Sequence, residues 1–209
     1  MNQARRRLAL GLGAAALAGA SPLLMGNAKA IPVPKPSVMT VPQLTIETDE
    51  PAIAAATASQ MRRLYVHNLH TGETLDAVYY ENGSYVADAL ASAMQVLRDW
   101  RNGAEHYMDP RLFDTLHQIH SALEVKAPFQ IISGFRSKQT NAVLHEHSKG
   151  VASNSQHTLG KAVDVRLEGV ELTHLHKAAL AVGAGGVGFY PVSDFVHVDV
   201  GPVRQWSGV

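Results

Sequence analysis

Two imidazoles and three carboxylates stand at spacings that suit metal chemistry. His157 and Asp164 occur in Ser155-Gln156-His157-Thr158-Leu159-Gly160-Lys161-Ala162-Val163-Asp164, and the others in Asp194-Phe195-Val196-His197-Val198-Asp199. Two His and one Asp, here His157, Asp164 and His197, make a three-ligand protein set for Zn²⁺ and leave a fourth position for water, the layout of a catalytic site. Asp194 supplies a candidate general base for that water. Asp199 is placed to fix the imidazole of His197 as an outer partner. A chain with eleven histidines brings some of them near an Asp by chance, so each half of the pattern carries weight only with the other.

Strands and turns must hold these side chains. Residues 161–167 alternate as a strand that puts Ala162, Asp164 and Arg166 on one face. Gly160 suits a close backbone approach just before it, which leaves His157 in a loop or strand end within reach of an ion held by Asp164. Residues 195–200 read as a second strand, with Phe195, His197 and Asp199 on one face. A regular strand would turn Asp194 to the opposite face from His197, so the base role requires Asp194 to sit in a turn after Pro191. Residues 186–190 read as a strand lining the cleft. They are not a phosphate-binding loop, because no Lys-Ser/Thr at the start of a helix follows. Upstream, residues 129–132 form a short buried strand running into Ser133-Gly134-Phe135-Arg136-Ser137. Ser137 caps a helix there, and Arg136 stands at a strand exit, a common address for active-site residues. Asn141, on that helix, is read as a substrate or a scaffold contact, with neither preferred.

The rest of the chain supplies a frame. Residues 64–69 and 77–80 read as a hairpin around Thr71-Gly72-Glu73, with a second turn at Glu81-Asn82-Gly83-Ser84. Leu90, Met94, Leu97 and Trp100 recur at helical spacing within 88–101. Pro110 opens a second helix, and Thr173 is placed to cap a third that Gly183 ends. His106, His117, His120, His174 and His176 are read as surface residues. The pattern predicts the α+β class, a small antiparallel sheet flanked by helices.

Ser155-x-His157-x-x-Gly160-x-Ala162-x-Asp164 resembles the first half of the zinc signature of the LAS peptidases, the group of lysostaphin, D-Ala-D-Ala peptidases and hedgehog domains. Asp194-x-x-His197 resembles the second half, which more often reads Glu-x-x-His. The similarity extends to the YcbK-like (MepK) murein endopeptidases, through Asn68-Leu69-His70-Thr71-Gly72-Glu73, Arg98-Asp99-Trp100-Arg101, Ser133-Gly134-Phe135-Arg136-Ser137 and Gly185-Gly186-Val187-Gly188-Phe189-Tyr190 to Trp206. The resemblance implies a hedgehog/D-Ala-D-Ala peptidase-like zinc site. Arg136 would point into the cleft and polarise the substrate carbonyl, and Asp194 would take the water's proton. Ser155, Tyr190 and Asn141 are the expected substrate contacts. It further implies a zinc metallopeptidase, an endopeptidase that hydrolyses peptide cross-links of peptidoglycan in the periplasm during cell-wall growth or remodelling. A monomer is expected. Two other readings stay open: a D,D-carboxypeptidase or dipeptidase acting on stem-peptide ends, and a non-catalytic, zinc-stabilised wall-binding module.

Residues 1–30 read as a targeting segment. Arg5-Arg6-Arg7, an apolar run from Leu8 to Met25 and the site Ala28-Lys29-Ala30 make a secretory signal peptide cleaved after Ala30. The adjacent arginines also permit a twin-arginine signal. The run is just long enough to span a bilayer, but its glycines, Pro22 and the cleavage site favour removal over a lasting membrane anchor. Pro32, Pro34, Pro36, Pro42 and Pro51 make 31–61 an extended linker, and the zinc peptidase domain is expected over 62–209. The chain's 18 basic and 18 acidic residues cancel, but four of the basic ones lie within 1–30 with no acid, so the remainder has 14 against 18, net −4. That argues against a nucleic-acid partner, which would require a basic face. Cysteine is absent, which excludes disulfides, thiolate-bound metal and a lipid-modified Cys.

Overall fold

Alternating burial along the strands gives one mixed sheet two unlike faces. The computed structural model describes residues 61–148 and 150–208, all within one compact unit. Strand β1 (Arg62–Asn68) turns back onto β2 (Thr74–Glu81), and Asn82 and Gly83, both at positive φ, lead into β3 (Ser84–Tyr85). Helices α1 (Ala87–Val96) and α2 (Pro110–Leu123) intervene before β4 (Phe129–Ser133), and this crossover lets β4 pair parallel with β1. Helix α3 (Lys138–His147) and a 3₁₀ turn (Gln156–Leu159) precede β5 (Ala162–Leu167). Helix α4 (Leu172–Val182) leads to a hairpin of β6 (Gly186–Tyr190) and β7 (Phe195–Asp199), and β8 (Arg204–Ser207) lies at the far edge.

The strand order is β3-β2-β1-β4-β5-β7-β6-β8. This corrects the expected small antiparallel sheet: it has eight strands and is mixed, because β1 with β4 and β6 with β8 run parallel. The α+β class stands. Hairpins leave turn residues in the sequence, whereas parallel partners are set by crossovers and leave no local signal.

One face is the core. Val163, Val165 and Leu167 of β5, Val196 and Val198 of β7, and Phe129 and Ile131 of β4 join Leu112, Phe113, Leu116 and Ile119 of α2 and Leu175 of α4 in one cluster. Each such side chain contributes about 1.5–3 kcal/mol on burial. The alternate residues of β5 and β7 face the other way. Among them are Asp164, His197 and Asp199, which the sheet holds rigidly from behind.

Several expected elements shift. The helix predicted over 88–101 stops at Val96, and Leu97 O accepts from Phe135 N at 2.7 Å instead of continuing the helix. Asp99 O then accepts from Asn102 N and Gly103 N in a turn, which frees Trp100 to stack on His70 with ring centroids 4.0 Å apart. Asp109 caps α2 by accepting from Arg111 N, ahead of Pro110. Helix α4 starts after Glu171 without a side-chain cap, so Thr173 lies in its first turn. His117, His120 and His176 are half-buried rather than on the surface; His120 Nε2 donates to Ala127 O at 2.7 Å and His176 stacks on Phe189. The signal over 1–30 and, Met61 apart, the linker over 31–61 lie outside the described residues. Among the described residues no helix is long and apolar enough to cross a membrane.

Candidate metal centre

A single row across the sheet brings two of the three expected ligands together. Register opposes Asp164 of β5 to His197 of β7, His197 to Gly188 of β6, and Gly188 to Trp206 of β8. Neighbouring strands lie about 4.8 Å apart, so Asp164 and His197 are cross-strand neighbours on the face opposite the core. A Cβ at position 188 would run into the Trp206 ring, so glycine there lets the indole lie over the row.

His157 arrives from the 3₁₀ turn. Ser155 Oγ accepts from His157 N at 3.4 Å, and Gly160 closes the turn at φ 65. A Cβ on Gly160 would collide with Tyr107 O, and its own carbonyl accepts from Asp109 N at 2.8 Å. Glycine is therefore required by both the left-handed φ and the close approach. Arg136 N donates to His157 O at 3.2 Å, and His157 Nδ1 donates to Gly134 O at 2.7 Å, which ties the turn to the end of β4.

The ligand atoms converge. His157 Nε2 and His197 Nδ1 stand 3.2 and 2.9 Å from Asp164 Oδ1 and 3.2 Å from each other. All three residues are buried, and the three atoms lie within 4.8 Å of one another. The far nitrogens are already used: His157 Nδ1 on Gly134 O, and His197 Nε2 on Asp199 Oδ2 at 2.9 Å. A proton on each far nitrogen leaves the near lone pairs to accept an ion, the usual outer-partner arrangement of metal-binding histidines. Asp199 is fully buried and also accepts from Gly186 N, Gly201 N and Arg204.

Charge follows from these contacts. Burial opposes ionisation of Asp164, but the two imidazoles hold its carboxyl far below the usual carboxylate range. Asp199 is held low in the same way, burial being outweighed by His197 and Arg204. Burial pulls His157 below its ordinary value, so it is the neutral imidazole of the pair. Burial acts likewise on His197, but its bonds to Asp164 and Asp199 outweigh it and raise the pKa to about 8. A proton thus sits where three donor atoms face one another, and a divalent cation of the zinc type fits that donor set.

The centre lies in a cleft of about 810 Å³. Arg136 lines it and is 8% exposed; its guanidinium donates to Ser133 Oγ at 3.2 Å and Asn141 Oδ1 at 3.4 Å, and stands 3.5 Å from Asp164 Oδ2. Its Nε is buried with no partner among the described residues. Burial lowers its pKa, opposed by Asp164.

The other expected residues divide. Ser155 and Tyr190 line the cleft, Ser155 while capping the turn and Tyr190 while accepting from Trp206 Nε1 at 2.8 Å. Asn141 is 3% exposed and tied into the frame: its Nδ2 donates to Ala152 O and Ser153 O while its Oδ1 accepts from Arg136. Asp194 is not brought to the centre. The turn after Pro191 forms, but Asp194 adopts φ 54 there, its carboxylate accepts from Arg166 Nη1 at 2.8 Å, and it does not line the cleft. Asp is among the few residues that tolerate this left-handed conformation. Sequence reasoning missed Arg204, which lines the cleft from β8; the alternation of Arg204 and Trp206 after Pro202 was its only trace.

Three candidate protein ligands converging on an α+β frame, with a buried arginine beside them in the cleft wall, define a candidate metal-dependent hydrolase. The family described as peptidoglycan L,D-endopeptidase MepK matches residues 56–206. The chain belongs to that family. It is 44% identical over 156 residues to the peptidoglycan L,D-endopeptidase MepK of Escherichia coli (strain K12), spanning 75% of this chain and 86% of that protein. The relative from Shigella flexneri gives the same values. The probable peptidoglycan L,D-endopeptidase MepK of Haemophilus influenzae is 39% identical over 158 residues, spanning 75% and 85%.

Proposed function

We propose that this chain is a zinc-dependent murein L,D-endopeptidase that hydrolyses peptide cross-links of peptidoglycan in the periplasm. The convergence of His157 Nε2, Asp164 Oδ1 and His197 Nδ1 at the floor of the cleft carries the reading, and the family supports its substrate class. These three residues would hold zinc, which when bound polarises a scissile carbonyl and lowers the pKa of water toward neutrality. Arg136, beside the candidate ligands in the cleft wall, offers its guanidinium to the carbonyl oxygen as negative charge develops there; loss of one such donor costs about a hundredfold or more in rate. Asp199 fixes the ring of His197, and Gly134 O that of His157, so the ligand atoms need no reorganisation. Tyr190, stacked on Phe195 at 4.4 Å, and Trp206 wall the cleft and exclude water beside the peptide. Asp194 is paired with Arg166 in this structure, and the Asp194→Asn variant tests the base role that its spacing suggested. Residues 1–30 serve export and are removed, and 31–61 link the mature end to the domain.

Purified protein incubated with sacculi and with cross-linked muropeptides tests this. Separated stem peptides should appear, chelator should abolish them, and added zinc should restore them. Shortened stems with intact cross-links would mark a carboxypeptidase, and binding without cleavage a wall-binding module.

A further inference from the structure

Two arginines flank the ligand row. Arg136 reaches Asp164 from the end of β4, and Arg204 reaches Asp199 from β8. Asp199 Oδ2 is shared, accepting from His197 Nε2 at 2.9 Å and from Arg204 Nη2 at 2.7 Å. Arg204 thus stands one carboxylate and one imidazole away from a candidate ligand atom, and it lines the same cleft.

One edge of its guanidinium is left over. Nη1 donates to Asp199 Oδ1 at 3.1 Å and Pro202 O at 2.9 Å, and Nη2 donates once, to Asp199 Oδ2. One face lies against the Trp206 ring, 4.9 Å from its centroid. The Nε–H and second Nη2–H form the other edge, which has no partner among the described residues, and the side chain is 41% exposed in the cleft. Two parallel donors on a planar edge match the two oxygens of a carboxylate.

The charge of the cleft points the same way. Among the described residues that line it, Asp164 is the one carboxylate, and it is taken up by the two imidazoles and Arg136. Nothing in the lining repels an anion near Arg204.

We infer that Arg204 determines specificity by bridging Asp199 to a free carboxylate of the substrate next to the scissile amide. The inference rests on the endopeptidase reading above and adds the feature of the substrate that the site selects.

The test is a matched pair of cross-linked muropeptides that differ only in whether the carboxylate beside the cleaved amide is free or a carboxamide. kcat/KM is measured on both for the zinc-loaded wild type, Arg204→Gln and Arg204→Lys, with zinc content and melting temperature followed for each. The wild type should prefer the free carboxylate by about ten- to a hundredfold, the worth of a hydrogen bond between charged groups. Arg204→Gln should bring the preference close to one, and Arg204→Lys, a cation without the second prong, should leave it below that of the wild type. Any slowing through a disturbed Asp199 affects both substrates alike and cancels in the ratio. A wild type that cleaves both equally, or variants that slow both by one factor with the preference intact, would overturn the role of Arg204 while leaving the endopeptidase reading in place. A wild type that cleaves neither would overturn both.

Discussion

His197 decides how readily the centre takes an ion. Its contacts with Asp164 and Asp199 outweigh burial and raise its pKa to about 8, so it is protonated below that pH, and a ligand must be neutral to bind metal. Zinc affinity should therefore fall as pH drops below about 8, by roughly tenfold per pH unit for one displaced proton, and level off above it. Zinc titrations between about pH 6 and 9 measure this; a flat profile would mean that His197 is already neutral. Asp194 is the opposite case, a residue whose carboxylate is paired with Arg166 away from the centre. Asp194→Asn suits the left-handed turn equally well and loses only an exposed pair with Arg166, worth about 0–1 kcal/mol. Turnover on muropeptides should stay near that of the wild type. A fall of about a hundredfold with zinc retained would restore Asp194 as the base.

Among the elements, the connection from β4 to α3 aims Arg136, and Asp99 anchors it. Asp99 is 1% exposed; its Oδ2 accepts from Ser137 N at 3.0 Å and its Oδ1 from Arg101 N at 3.2 Å. Burial opposes its charge, but hydrogen bonds from Thr140, Ser137 and Arg101 outweigh it and hold the pKa below the ordinary value. A lowered carboxyl contributes stability above its unfolded pKa, about 3.9 for Asp, and loses it as pH falls through the folded value. Asp99→Ala should thus cost about 1–3 kcal/mol at neutral pH by stranding buried N–H groups. The gap from wild type should narrow in acid, below about pH 4, and muropeptide hydrolysis should slow as Arg136 loses its position. Denaturant unfolding at neutral and acid pH reads the first two. A gap that is constant with pH would mean that the Asp99 charge is not what holds the connection.

Over the whole described chain, stability and chemistry occupy opposite faces of one sheet. Helices α1, α2 and α4 cover the apolar face, and the other is left for Asp164, His197 and the cleft. The proposed export belongs to the same scale. The basic cluster Arg5-Arg6-Arg7, the apolar run and Ala28-Lys29-Ala30 predict a mature chain that begins at Ile31. N-terminal sequencing of the protein from the periplasm checks it, and an intact chain recovered from the membrane would count against removal.

Local signals were enough for much of this. Alternation marked β5 and β7, Pro110 and Ser137 marked helix starts, and the candidate metal ligands stood out because few residue types can hold zinc. Such features are legible because strand and helix periodicity and capping act over a few neighbouring residues. Tertiary structure alone decided which strands became neighbours, and with that the mixed sheet, the place of β8 and the presence of Arg204 in the cleft. It also turned Asp194 toward Arg166, because one left-handed residue in a turn redirects a side chain without any change in spacing. His157 and His197 meet through the Gly160 turn and the pairing of β5 with β7. Strand pairing depends on crossovers and on covering a common core, and those are properties of the assembled chain rather than of any short stretch of it.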